Sequence, residues 1–123
     1  MADQGVDGSP SAADLDALRC LVVAEQDRTA AQLVALVRTF DELVAAADLE
    51  PPDEHDPDGT TAYERAQVAS LIDSARTNLA DLARALARLD ADTATTCASC
   101  GRPITMERLL AVPTARKCID CAH

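Results

Sequence analysis

The chain has 123 residues and a formal net charge of −10. Apolar residues make up 48 % of it, yet aromatics only 2 %, and much of the apolar content is alanine. That length fits one ordinary domain, and that composition excludes a thick core built from large side chains. The acidic balance also excludes free nucleic acid as the main partner, because phosphate binding needs a basic face.

Residues 1–10 are polar, with Gly5, Gly8 and Pro10, and read as a disordered start. They carry neither the positive n-region nor the apolar h-region of a signal peptide. No apolar run approaches the ~20 residues of a membrane span, so the expected location is the cytoplasm.

A hairpin is expected over residues 11–93. Ser11 followed by Asp14 fits a helix start, with an acid in the first turn. No Gly or Pro then interrupts the chain to about Ala47. Leu33, Leu36, Phe40, Leu43 and Ala47 repeat with the spacing of a coiled-coil seam. Traced backwards, the seam meets polar Thr29 and Gln26 and then Val22, so its middle is weaker. Cys20, within the apolar stretch ALRCLVVA, reads as a buried spectator thiol.

Residues 48–58, DLEPPDEHDPD, carry six acids and three prolines and no Lys or Arg. They read as an acidic tip loop, about 48–60, that stays off both helices. Thr61 with Glu64 forms a second capping box. The helix that follows runs to about Ala91. Its seam is Val68, Ile72, Ala75, Leu79, Leu82, Leu86 and Leu89, in regular 4-3 alternation. Two such stripes joined by a short loop bury each other as an antiparallel coiled coil. At ~1.5 Å per residue the second helix is a rod roughly 45 Å long. The expected fold is therefore all-α dominated: a helical hairpin followed by a small four-cysteine finger over residues 94–123.

The finger is the sharpest signal. Cys97-x2-Cys100 and Cys118-x2-Cys121 have the spacing of a zinc ribbon. A two-residue gap lets one tight turn present two sulfurs to one ion, and two such knuckles complete a tetrahedron. Gly101 suits a knuckle, since it allows a positive φ. Four protein ligands leave no open position for water, so one structural Zn²⁺ is expected and no catalytic one. A redox dithiol is the competing reading of a Cys-x-x-Cys pair. Residues 96–123 carry four basic groups and two acids, while residues 1–95 carry seven basic groups and 19 acids. The finger's cations balance the thiolates or, for Arg102 and Arg108 in particular, dock on a partner. His55 and His123 lack ligand spacing to the cysteines and read as solvated.

The segment C-A-S-C-G-R-P-I-T-M-E-R-L-L-A-V-P-T-A-R-K-C-I-D-C-A resembles the zinc finger of the DksA/TraR family of bacterial transcription regulators. The resemblance rests on Cys97, Cys100, Gly101, Ile104, Arg108, Leu109, Ala111, Pro113, Cys118 and Cys121. It extends less sharply into the second helix, through A-Y-E-R-A-Q and L-A-R-A-L-A-R-L, and covers about half the chain. It implies a non-enzymatic regulator that binds RNA polymerase and inserts its coiled coil into the secondary channel. Acidic tip residues then lie near the active site and alter initiation, in some cases together with the alarmone ppGpp. Family members carry Asp-x-x-Asp-x-Ala at the tip. Here Asp53-x-x-Asp56 is followed by Asp58, and Asp56 with Gly59 gives a second register. The linker before Cys97 is ATT where a glycine is usual. A rival reading keeps the zinc but makes the coiled coil an adaptor for some other protein, open to redox control. No nucleophile–base pair or phosphate loop supports an enzyme, and nothing supports sequence-specific contact with nucleic acid.

Overall fold

The computed structural model describes residues 10–49 and 60–122. The expected disordered start, most of the tip loop with Asp53, Asp56 and Asp58, and both histidines lie outside the described residues. Three helices follow in order: α1 (Ala12–Leu49), α2 (Thr60–Asp90) and α3 (Met106–Ala111). The fold is mainly helical, and among the described residues the non-helical finger segments hold one isolated antiparallel bridge, Thr96 to Pro103.

The ends of the long helices follow from local chemistry. Ser11 Oγ accepts the Asp14 N–H and Asp14 Oδ2 accepts the Ser11 N–H, both at 3.0 Å. This reciprocal box satisfies two donors that the first turn leaves open. The far end of α2 closes with a Schellman turn. The Thr93 N–H donates to the Arg88 carbonyl at 2.9 Å, and the Asp92 N–H to that of Leu89 at 3.2 Å. The residue that turns left-handed there is Asp92, at φ 60°, where glycine is the usual occupant.

Of the described residues, those between 27 and 79 form one compact unit and the remainder another. Among the described residues, the 27–79 unit consists of stretches of α1 and α2. Leu33, Leu36, Phe40, Leu43 and Ala47 of α1 are half-buried, as are Val68 and Leu79 of α2. Ile72 and Ala75 are fully buried. Thr29, the polar interruption of the seam, is also buried, and Asn78 Nδ2 donates to its hydroxyl at 3.2 Å. The weak point of the apolar pattern is thus a satisfied polar pair.

The other unit has a continuous core. Leu18 and Val22 from α1 and Leu82, Ala85 and Leu89 from α2 join Ala94, Cys97, Ile104, Leu109, Ala115 and Cys118 in one cluster. Arg19 pairs with Asp90 at 2.9 Å on its surface. Leu18 and Ala85 fall beside the strict heptad. Their burial widens each helix's apolar stripe where a third layer packs on it. Ala85 is small enough to let that layer approach.

Cys20 is exposed, not buried. Leu18 and Val22 are the buried positions of this turn. Two residues from either is about 200° around the helix, which points Cys20 outward.

Candidate metal centre

The finger begins directly after the α2 cap. The Ile104 N–H donates to the Thr95 carbonyl at 2.7 Å and the Cys97 N–H to that of Arg102 at 2.8 Å, folding residues 95–104 back on themselves. Inside this turn the Gly101 N–H donates to the Cys97 carbonyl at 3.0 Å. Gly101 has φ 75°, a conformation that L side chains resist. The Ser99 N–H points at Cys97 Sγ, 3.4 Å away. The second knuckle is tied to the first through the Ala98 N–H, which donates to the Arg116 carbonyl at 2.8 Å.

Between the knuckles lies α3, an element that the sequence reading leaves out. Its signal was present: Thr105 caps it, its hydroxyl accepting the Arg108 N–H at 3.2 Å, with Glu107 in the first turn. Ile104 and Leu109 from this segment are buried beneath the cysteines, at 3 % and 1 % exposure.

The four sulfurs of Cys97, Cys100, Cys118 and Cys121 all lie within 4.8 Å of one another. Cys100 Sγ and Cys118 Sγ are 3.8 Å apart. A tetrahedron with Zn–S bonds of ~2.3 Å has edges of roughly 3.8 Å. The donor set is soft, closed and four-fold, which suits zinc. Backbone N–H groups of Cys100 and then Cys118 hold the Cys97 thiol down at about 6, against the opposing effect of burial. Cys121 is pushed up to about 12, chiefly by hydrogen bonding with Cys118 and then with the other two sulfurs. The Cys97 and Cys121 thiols thus differ widely in acidity. A divalent cation that removes their shared protons is the natural occupant.

The two arginines expected to face a partner differ. Arg102 is exposed. Arg108 is half-buried, and its Nε donates to the Lys117 carbonyl at 2.9 Å, bracing the second knuckle.

Fold and site together define a helical protein stabilised by a closed four-cysteine zinc finger, with one structural zinc. Residues 92–123 match the model of the prokaryotic dksA/traR C4-type zinc finger. The chain is also similar to the structure of transcription factor DksA2 from Pseudomonas aeruginosa. That likeness has a TM-score of 0.77 and 26 % identity, over 97 % of this chain and 92 % of the other. No curated protein matches. The finger thus matches the dksA/traR C4 type, and the chain as a whole is similar in fold to DksA2.

Proposed function

We propose that the protein is a non-enzymatic transcription regulator of the cytoplasm that binds RNA polymerase and modulates initiation. In this reading the hairpin of residues 11–93 enters the secondary channel with its acidic loop leading. Residues 94–123, held by zinc on Cys97, Cys100, Cys118 and Cys121, remain outside as part of the docking surface. The observation that carries the reading is the combination of a dksA/traR finger with a likeness to DksA2 over nearly the whole chain. The physics is consistent with it. An acidic protein of net charge −10 is attracted to a basic channel. The dense like charge of DLEPPDEHDPD is unsuited to packing and suited to acting at a distance. Among the described residues no helix is long and apolar enough to cross a membrane.

The direct test is co-purification with the cell's RNA polymerase, followed by cross-linking from position 56. Cross-links near the polymerase active site are expected. Absence of polymerase from the purified material refutes the reading and favours an adaptor for another protein. Replacing Asp53, Asp56 and Asp58 by Asn removes charge and keeps shape. That variant should retain its zinc and most of its polymerase affinity, yet lose its effect on transcription in vitro. Asp56 should matter most, being shared by both registers of the tip motif. Full regulatory activity in the triple variant rules out a charge-driven tip.

A further inference from the structure

Arg88 stands in the last turn of α2. It is half-buried, and its Nε is covered by the protein with no acceptor among the described residues. Its Nη2 reaches the Thr114 carbonyl only at 3.5 Å, a long and weak contact. Burial, then the charge of Arg116, then that of Arg84 push its pKa down, with Asp81 opposing. Asp81 is itself engaged by Arg84, Nη2 to Oδ1 at 2.5 Å. Arg116 is exposed, and among the described residues its side chain makes no hydrogen bond or ion pair. Its backbone is nevertheless fixed, because its carbonyl accepts the Ala98 N–H.

A cation at a helix C-terminus is ordinary, since it complements the last carbonyls. That accounts for Arg88 alone. It does not account for two further arginines brought beside it in a chain of net charge −10. Like charges gathered with too few counter-ions raise the energy of the free protein. They lower it again when an anion arrives, and the half-buried guanidinium gains most because it is least solvated. We infer that Arg84, Arg88 and Arg116 form a docking surface for carboxylate side chains of a protein partner. Because Nε of Arg88 is covered, the incoming acids meet the exposed arginines, Arg84 and Arg116, and Arg88 adds its field behind them. Protein carboxylates suit the site better than a polyphosphate. The chain's overall charge repels a freely diffusing polyanion, and Asp81 adds repulsion at the site itself. Arg108, whose Nε is held by the Lys117 carbonyl, is a brace and not part of this surface.

The inference rests on the proposed reading, with an acidic patch of RNA polymerase as the partner surface. The test uses the full zinc-loaded chain and compares wild type with the double variant Arg84→Glu/Arg116→Glu. Polymerase affinity is measured across a salt titration, with circular dichroism and zinc content as controls for folding. The double variant should bind at least tenfold more weakly at low salt, with a shallower salt slope. Equal binding by wild type and double variant overturns the docking surface and leaves the proposed function standing. Failure of the wild type to bind overturns both. Side-chain NMR shifts of Arg116 on adding inorganic phosphate, with polymerase affinity unchanged in the double variant, overturn it in favour of a small-anion site.

Discussion

The two units of this chain solve the same problem with different means. Between residues 27 and 79 there are two helices, and among the described residues only Thr29, Ile72 and Ala75 are fully buried. In the other unit a third layer covers the helices, and Leu18, Val22, Leu82 and Leu109 all fall to 2 % exposure or less. Two helices alone can hide only a narrow stripe of each, so most seam residues of the first unit stay half-wet. Adding a finger gives every helix residue on the widened stripe a second neighbour. The comparison teaches where stability resides. The finger unit holds the larger core and the four cysteines, while the 27–79 unit buries few residues.

Removing zinc should have the largest effect. Structural zinc contributes on the order of 10 kcal/mol in small fingers, and Cys97 and Cys118 belong to the hydrophobic core itself. Chelation, or Cys97→Ser, should abolish hydrogen-exchange protection at Ile104 and Leu109 while most far-UV ellipticity survives. Persistent protection at those amides without metal would show that the core stands without its ion. The sign of the pH dependence follows from the thiols. With Cys121 pushed up to about 12, the metal-free site still holds protons at neutral pH. Zinc must displace them, so binding releases protons and affinity falls as pH falls. Calorimetry in buffers of different ionisation enthalpy reads this directly.

Next comes a pair of substitutions on one helix. Leu82 is 2 % exposed and Leu71 is 46 % exposed. Leu82→Asp buries an unpaired charge and should cost ~3–5 kcal/mol, enough to unfold the finger unit. Leu71→Asp should change stability by less than ~0.5 kcal/mol. Matching melting curves for the two variants would refute the assigned seam. A smaller effect is expected within the slender unit. Thr29→Val removes the acceptor of Asn78, but the exposed amide can turn to water, so the cost should be ~0.5–1 kcal/mol. An equal cost for Asn78→Ala in wild type and in the Thr29→Val background would show that the two side chains are not coupled. The last change goes the other way. Asp92 turns left-handed and sets a negative charge at the C-terminus of α2, both unfavourable. Asp92→Gly should raise stability by ~1 kcal/mol by differential scanning calorimetry, and a fall in Tm would contradict the Schellman geometry.

The long helices and the metal site were legible because their signals are periodic or spaced. The 4-3 alternation of Val68 to Leu89 survives as a line of buried and half-buried positions, and two Cys-x-x-Cys pairs converge on one point. Other features were hidden for physical reasons. Ala85, Ala94 and Ala115 are core residues, but alanine is equally at home on a helix surface, so composition cannot mark it. Six residues of α3 are too few to establish a period. Cys20 was misplaced because its apolar neighbours were read as a run instead of a face. The role of Arg88 was also not readable, since it depends on Arg116 arriving from 28 positions further along the chain.

The Thr29–Asn78 pair has one more consequence. Heptad seams of leucine, valine and alanine are nearly self-similar, so a partner helix displaced by seven residues still finds apolar neighbours. Such slipped pairings are traps during folding, close in energy to the correct one. The buried Thr29 hydroxyl, met by Asn78 at the seam's edge, removes that degeneracy, because a displaced pairing sets the hydroxyl against hydrocarbon. At modest expense in hydrophobic contact, the pair acts as a detent that stops the sliding helices at one notch.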